Sequence, residues 1–316
     1  AAIGLKNTST GNTICDVNAP IILEAISFPD PVISAAVEPK AKTDQDRLRE
    51  ALNKMSDEDP TLDIRYDDET GQTVIAGMGE MHLEVTVERI RREHSVEAKM
   101  GPPQVAYRET ITVPTRAEAK LVKQTGGHGQ FAHVVIELEP LEAGKGFLFE
   151  DKLRGGAIPR EFVPSVRRGI ANAMSTGVLA GYPLVDLKVT LVDGTDHPVD
   201  SSDLAFQTAG SMALKEGVRK SKPVLLEPVM QLDITTPGDF LGDIIGDLNS
   251  RRGRIKGIEG RGDVQSIQAQ VPLSEVFGYT THIRSLSQGR AVHSMEFSHY
   301  EHMSGQMADK IINSGV

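Results

Sequence analysis

The order of predicted elements constrains this fold most strongly, because one pattern occurs twice along the chain. Residues 31–40, PVISAAVEPK, are predicted as a strand, and the next segment carries Leu48 and Leu52 at helical spacing. The alternating runs TLDIRYDD and TVIAGM flank the turn ETGQ and predict a hairpin. A helix, EMHLEVTVERIRREH, and a strand, SVEAKM, follow. The order β-α-β-β-α-β indicates a split βαβ, or ferredoxin-like, unit.

The same order returns near the C-terminus. Residues 223–237 form one long predicted strand, and the next helix places Phe240, Ile244 and Leu248 on a single stripe. A hairpin around RGD, a helix in SEVFGYTTHIRSLS and a strand in RAVHSMEFSHY complete the second unit. The sequence therefore predicts an α+β, multidomain fold with two ferredoxin-like βαββαβ domains.

A different domain lies between these two units. It contains predicted strands on both sides of QTGGHGQF, a helix in REFVPSVRRGIANAM, a strand in PLVDLKVTLVDG and a helix that Ser201 or Ser202 could cap. The expected domain boundaries are 1–20 for an N-terminal segment, 21–103, 104–222 and 223–303 for three domains, and 304–316 for a C-terminal helix or tail.

Composition excludes several classes of protein. The 316 residues carry a formal net charge of −10, which argues against a plain DNA-binding protein, since such proteins need a basic face. Trp is absent and aromatic residues are sparse, so a single-strand binder that stacks bases is not favoured. Cys15 is the only cysteine, which fits a reducing cytoplasm. No apolar run is long enough to span a membrane.

Motifs for common catalytic chemistry are missing. Gly144 and Lys145 are followed by Gly146, so no phosphate-binding P-loop is present. The histidines of two sets lack zinc spacing, and we expect no metal site; the sets are His128 with His133, and His293 with His299 and His302. Ser201 and Ser202 lie beside His197 and Asp200, but neighbours in one loop rarely reach triad geometry, and no catalytic residue is predicted.

Two features remain as candidates for RNA contact. The first is a pair of loops in the middle domain, QTGGHGQF and DGTDHPVDSS, whose glycines permit close backbone approach and whose Gln124 and His197 could bond to 2′-hydroxyls and phosphates. Two ordinary turns are the alternative. The second is NSRRGRIKG, a basic run (residues 249–257) at a predicted helix end, where helix-dipole compensation is the alternative. Its cations are Arg251, Arg252, Arg254 and Lys256.

Several long stretches resemble bacterial elongation factor G, a translational GTPase, and the match covers almost the whole chain. They include EDPTLDIRYDDETGQTVIAGMGEMHLEV, QTGGHGQFAHV, VDSSDLAFQTAGSMALKE and GDIIGDLNSRRGRIKGIEGRG, in family order. The resemblance implies the end of a β-barrel domain at 1–20, followed by domains III, IV and V. Domain IV would be an elongated α/β domain of the kind found in ribosomal protein S5, flanked by the two ferredoxin-like domains.

The resemblance also implies a function. Such a chain would be the C-terminal arm of a ribosomal translocase, a non-enzymatic fragment without cofactors, whose missing N-terminal domain binds GTP and Mg²⁺ and is a ribosome-dependent GTPase. Its partners would be the ribosome (rRNA and ribosomal proteins), tRNA and mRNA, and we expect a cytoplasmic monomer. The matching domain IV tip residues are Gln124, Gly126, Gly127, His128, Asp196, His197 and Pro198. The matching rRNA-contacting residues of domain V are Arg251, Arg252, Arg254 and Lys256.

The tip departs from the family pattern at three positions, His128, Asp196 and Pro198. Family members commonly carry Arg where His128 stands, and Tyr-His-Glu or a similar trio where Asp196, His197 and Pro198 stand. These departures leave open a paralogue specialised in ribosome recycling. A hydrolase built on the loop of His197 is a rival of a different class.

Overall fold

The computed structural model of the protein describes residues 13–21, 23, 28, 31, 33–66, 73–101, 104–123 and 129–314. These residues fall into two compact units. The first combines the residues up to 106 with 228–299, and the second combines 107–227 with the residues from 300 onward. The predicted β-barrel segment, 1–20, lies outside the described residues except for 13–20.

The first ferredoxin-like domain has the predicted element order. Its elements are β1 (Ile33–Pro39), α1 (Gln45–Glu58), β2 (Asp63–Tyr66), β3 (Thr73–Gly77), α2 (Glu80–His94), β4 (Ala98–Met100) and a short β5 (Gln104–Val105). The strand order is β2-β3-β1-β4, with β5 also pairing with β1, and these pairs are antiparallel. Leu48 and Leu52 of α1 are fully buried, as their helical spacing predicts.

The middle domain has a four-stranded sheet and two helices. Its elements are β6 (Arg108–Ile111), β7 (Thr115–Lys123), β8 (Gln130–Pro140), β9 (Phe147–Asp151), α3 (Val163–Thr176), β10 (Leu187–Thr195) and α4 (Asp203–Lys220). The strand order is β7-β8-β10-β9, and only β9 runs parallel to its neighbour among these pairs. Sequence patterning did not predict β9, because its residues, FLFED, place three apolar side chains in a row and do not alternate.

Small residues set the packing of the two helices in this domain. A Cβ atom added to Gly169 of α3 would lie 2.0 Å from the backbone oxygen of Gln207 in α4. Because no side chain fits at that distance, glycine permits the close approach of α3 and α4. Ser202 is the N-cap of α4 and accepts a hydrogen bond from the Ala205 amide at 3.2 Å, which settles the choice between the two predicted caps.

The second ferredoxin-like domain begins with a long strand. Its elements are β11 (Pro223–Pro237), α5 (Leu241–Ser250), β12 (Arg254–Arg261), β13 (Val264–Pro272), α6 (Tyr279–Leu286) and β14 (Val292–His302). The strand order is β12-β13-β11-β14, and the first residues of β11 pair with β6. The C-terminal segment forms a helix, α7 (Gly305–Ser314). The fold is thus α+β with two ferredoxin-like domains, as predicted.

One hydrophobic cluster fills the first unit. It joins Leu48 and Ile90 of the first ferredoxin-like domain to Ile244 and Ile283 of the second. A hydrogen bond also links the two domains, since the Gly278 amide donates to the Glu80 carboxylate at 2.8 Å. The second unit has its own cluster, which includes Ile136, Ile170 and Phe206. Each unit therefore has a continuous core that can support exposed loops.

Candidate nucleic-acid interface

The sheet of the middle domain brings the roots of the two predicted loops together. Lys123 at the end of β7 pairs with Gln130 at the start of β8, and Thr195 at the end of β10 pairs with His133 of β8. The glycine-rich loop (residues 124–131) and the His197 loop (residues 195–202) therefore leave the same end of the sheet. The predicted contacts in the first of these loops lie outside the described residues, namely Gln124, Gly126, Gly127 and His128.

Three hydrogen bonds join the His197 loop to the root of the glycine-rich loop. The Gly129 amide donates to the Asp200 carboxylate at 2.9 Å, and the Phe131 amide donates to the Asp200 backbone oxygen at 2.8 Å. The Ser201 hydroxyl donates to the Phe131 backbone oxygen at 2.8 Å. Sequence reasoning did not predict these links, because the bonded residues lie about seventy positions apart in the chain.

His197 lies at the exposed face of this arrangement. Its side chain is 47% exposed, and its ring centroid lies 5.9 Å from that of Phe131. The ring Nδ1 atom lies 3.4 Å from the Val199 amide nitrogen, 3.2 Å from the Asp200 amide nitrogen and 3.4 Å from the Asp200 Oδ2 atom. Pro198 is exposed as well, and Asp196 is half-buried. All three predicted residues of this loop thus have surface that a partner could reach.

Apolar surface accompanies these polar groups. Val122 at the end of β7 is 61% exposed, and Val199 in the His197 loop is 62% exposed. Lys120 places its ammonium group 5.3 Å from the centre of the Phe131 ring. The end of the sheet therefore offers hydrogen-bonding groups, apolar side chains and the cations of Lys120 and Lys123, a combination suited to RNA riboses and phosphates. The exposure of Val122 was not predicted, because the alternation of a strand does not show which face is open at its end.

The serines of the His197 loop are engaged in structural roles. Ser201 accepts a hydrogen bond from the His197 backbone amide at 2.9 Å while it donates to Phe131, and Ser202 caps α4. In the described part of the chain, neither hydroxyl is hydrogen-bonded to the imidazole ring. The nucleophile–base contact that a serine hydrolase needs is therefore not formed in this loop.

The described residues contain no group of three or more His, Cys, Asp or Glu side chains placed to hold a metal ion. Within the same ranges, no helix has the length and apolar character needed to cross a membrane.

The basic run behaves differently from the His197 loop. Arg251 is only 20% exposed, donates to the Asp247 carboxylate at 2.9 Å and to the Glu275 backbone oxygen at 2.6 Å, and lies over the Tyr279 ring. Arg252 is 31% exposed and donates to the Glu275 carboxylate at 2.9 Å. These two predicted rRNA contacts are thus held by the domain's own acceptors.

Arg254 and Lys256 are more exposed than Arg251 and Arg252. Both lie on β12 with exposed side chains. Of the four cations in the run, these two present the most surface to a polyanion.

Comparisons with known proteins place the chain in a family. Three family models match consecutive parts of it: elongation factor G domain III at residues 28–102, elongation factor G domain IV at 103–222 and the elongation factor G C-terminus at 224–311. A crystal structure of a protein from Thermus thermophilus is 40% identical, with a TM-score of 0.70 over 92% of this chain and 43% of that chain. The chain thus spans less than half the length of that relative. With three family domains matched in sequence order, the chain belongs to the elongation factor G family and is a translation elongation factor-like protein.

Proposed function

We propose that this chain is the C-terminal arm of a ribosomal translocase. It promotes the GTP-dependent movement of tRNA and mRNA during elongation, and the tip of its middle domain enters the decoding site. GTP and Mg²⁺ are bound by a separate N-terminal domain, and the arm acts on ribosomes in the cytoplasm. The mechanism is mechanical: the arm changes position as GTP is hydrolysed, and the tip occupies the site that the tRNA leaves.

The single observation that carries this proposal is the position of His197. The ring lies at one end of a four-stranded sheet, beside the root of the glycine-rich loop, and about half of its side-chain surface is exposed. A side chain held in this way can form hydrogen bonds with paired nucleotides at little further cost in conformational entropy. The matched domain order supports the same interpretation.

The test joins a translational GTPase domain to the chain and measures tRNA movement on ribosomes. His197→Ala is expected to slow tRNA movement about tenfold, since a hydrogen bond to a charged acceptor contributes about 1.5 kcal/mol. GTP hydrolysis should stay largely intact. His299→Ala, which changes an exposed histidine of β14, is the matched control. Unchanged tRNA movement in His197→Ala would contradict the role of the tip.

Two further measurements separate the alternatives. The chain alone should hydrolyse no GTP, with or without ribosomes, and measurable turnover would contradict its role as a non-catalytic arm. A fusion that splits ribosomal subunits but does not move tRNA would identify a recycling factor instead.

A further inference from the structure

Asp200 and Ser201 form a brace between the two loops of the middle domain. Each residue makes two of these bonds: Asp200 accepts from Gly129 through its side chain and from Phe131 through its backbone, and the Ser201 hydroxyl donates to Phe131 while it accepts from the His197 amide. The side chains of Asp200 and Ser201 are partly buried, so they offer less surface to a partner than His197. Their hydrogen bonds hold the two loops against each other.

We propose that Asp200 and Ser201 are positioning residues, which fix the His197 ring so that its Nε2–H group is presented to an acceptor on RNA. The inference rests on the proposed function, because it assigns a role to the surroundings of His197 in the same contact. It adds two residues, and a specific proton position, to the predicted tip.

The surroundings of the ring decide where its proton lies. The Val199 and Asp200 amides both direct N–H groups at the Nδ1 atom, at 3.4 and 3.2 Å. A backbone amide can only donate, so Nδ1 acts as an acceptor and the proton of the neutral imidazole is on Nε2. The ring therefore offers a donor on its far side. Phosphate oxygens, 2′-hydroxyl oxygens and base carbonyls are the acceptors on RNA that fit such a donor.

The charged group nearest the ring belongs to the same brace. The Asp200 Oδ2 atom lies 3.4 Å from Nδ1, and its other oxygen is occupied by the Gly129 amide. If Asp200 positions the ring, Asp200→Asn should keep RNA binding. If its charge pairs with the ring, Asp200→Asn should weaken binding as much as Asp200→Ala does. The Asp200→Asn variant would keep an oxygen for Gly129 and would place an amide N–H beside Nδ1, which favours the same tautomer.

The Asp200 carboxylate packs closely against the backbone of Gly129. A Cβ atom added at position 129 would lie 3.0 Å from the Asp200 Cγ atom and 3.1 Å from its Oδ2 atom. Glycine leaves the space that the carboxylate occupies, so the second loop can approach the backbone of the first.

The binding test uses the chain itself, labelled with a fluorophore on its single cysteine, Cys15, which is exposed. The probe is the ribosome carrying mRNA and tRNA. Asp200→Ala and Ser201→Ala are each expected to weaken binding about five- to tenfold, similar to His197→Ala, because they release side-chain hydrogen bonds that hold the loop on which the ring lies. Asp200→Asn is expected to stay within about twofold of the unchanged chain. Ser202→Ala is the matched control, since it removes the cap of α4 and leaves the brace in place.

A double-variant cycle separates positioning from a general structural effect. If Asp200 acts through His197, Asp200→Ala combined with His197→Ala should bind no more weakly than His197→Ala alone. Additive losses would overturn the proposal, and so would equal losses for Asp200→Asn and Asp200→Ala. The proposal would also be overturned if His197→Ala bound more weakly to the ribosome while Asp200→Ala and Ser201→Ala bound as tightly as the unchanged chain. No loss in His197→Ala would instead contradict the proposed function.

Nitrogen NMR of the histidine ring gives a readout that is independent of binding. In the unchanged chain, the chemical shifts of the neutral His197 ring should show a protonated Nε2 and an unprotonated Nδ1. Asp200→Asn should keep this pattern, while Ser201→Ala should give a mixture of tautomers as the loop loosens. A proton found on Nδ1 in the unchanged chain would overturn the assignment.

Discussion

The His197 loop and the basic run were both predicted to contact RNA, yet the fold treats their side chains in opposite ways. Backbone groups hold the His197 ring, which keeps 47% of its side-chain surface exposed. In the basic run, Asp247 binds Arg251 and Glu275 binds Arg252. Only 20% of the Arg251 side-chain surface is exposed. A dense run of positive charge is thus a poor guide to the cations available for RNA, because acceptors elsewhere in the domain can occupy them.

The largest effect that would sharpen this comparison is expected at Arg251. Arg251→Ala should lower the free energy of unfolding by about 2 kcal/mol, since it leaves the Asp247 carboxylate with one fewer partner in a site that is only 12% exposed. Urea denaturation measures the change. The salt dependence of ribosome binding should be the same in this variant as in the unchanged chain. Unchanged stability together with a weaker salt dependence would mean that Arg251 faces RNA, and the comparison would fail.

A smaller effect is expected at Arg252, where the backbone adds a second contribution. Its φ angle is +59°, in the left-handed region, and its side chain bonds to Glu275. Arg252→Ala should cost about 1 kcal/mol, because the contact with Glu275 is lost while the backbone strain is unchanged. Arg252→Gly removes the same contact but tolerates that φ angle, so it should be the more stable of the two variants in the same denaturation experiment. A reversed order would show that backbone strain at this position does not set the stability of the turn.

The contrast between the two regions also shows what the sequence could predict. Periodicity predicted the element order, and the stripe of Phe240, Ile244 and Leu248 in the second ferredoxin-like domain is buried. These features are local, since each depends on residues three or four positions apart. β9 was missed because its three apolar residues, FLF, are consecutive and show no alternation.

The site was less predictable because it depends on contacts between distant residues. The sequence placed His197 in a loop, but the brace joins Asp200 to Gly129 and Ser201 to Phe131 across the sheet. The role of Glu109 was missed for the same reason: it is buried in β6, and its carboxylate accepts four hydrogen bonds from backbone amides at 178–182. No local pattern marks a carboxylate whose partners lie about seventy residues away.

Lys256 should show the opposite behaviour from Arg251. Its side chain is exposed on β12, so Lys256→Ala should change the free energy of unfolding by less than about 0.5 kcal/mol. If the lysine contacts an rRNA phosphate, the slope of log affinity against log salt should fall by about 1 in magnitude. Titration of ribosome binding at several salt concentrations measures this slope. An unchanged slope would remove Lys256 from the interface and leave Arg254 as the exposed cation of the run to test.

The smallest expected effect concerns His293, a half-buried histidine that is less exposed than His197. Burial lowers the pKa of His293 on β14, and the nearby Arg284 lowers it further; the Tyr279 ring lies against it in a T-shaped contact. The unfolded chain therefore binds this proton more readily than the folded chain. As pH falls through the ordinary histidine pKa of about 6.5 toward the lower folded value, the free energy of unfolding should decrease. His293→Gln, which cannot titrate there, should lose this part of the pH dependence in urea denaturation at successive pH values. An unchanged pH profile in that variant would mean that other groups cause the acid sensitivity, and that His293 is as accessible to protons in the folded chain as in the unfolded one.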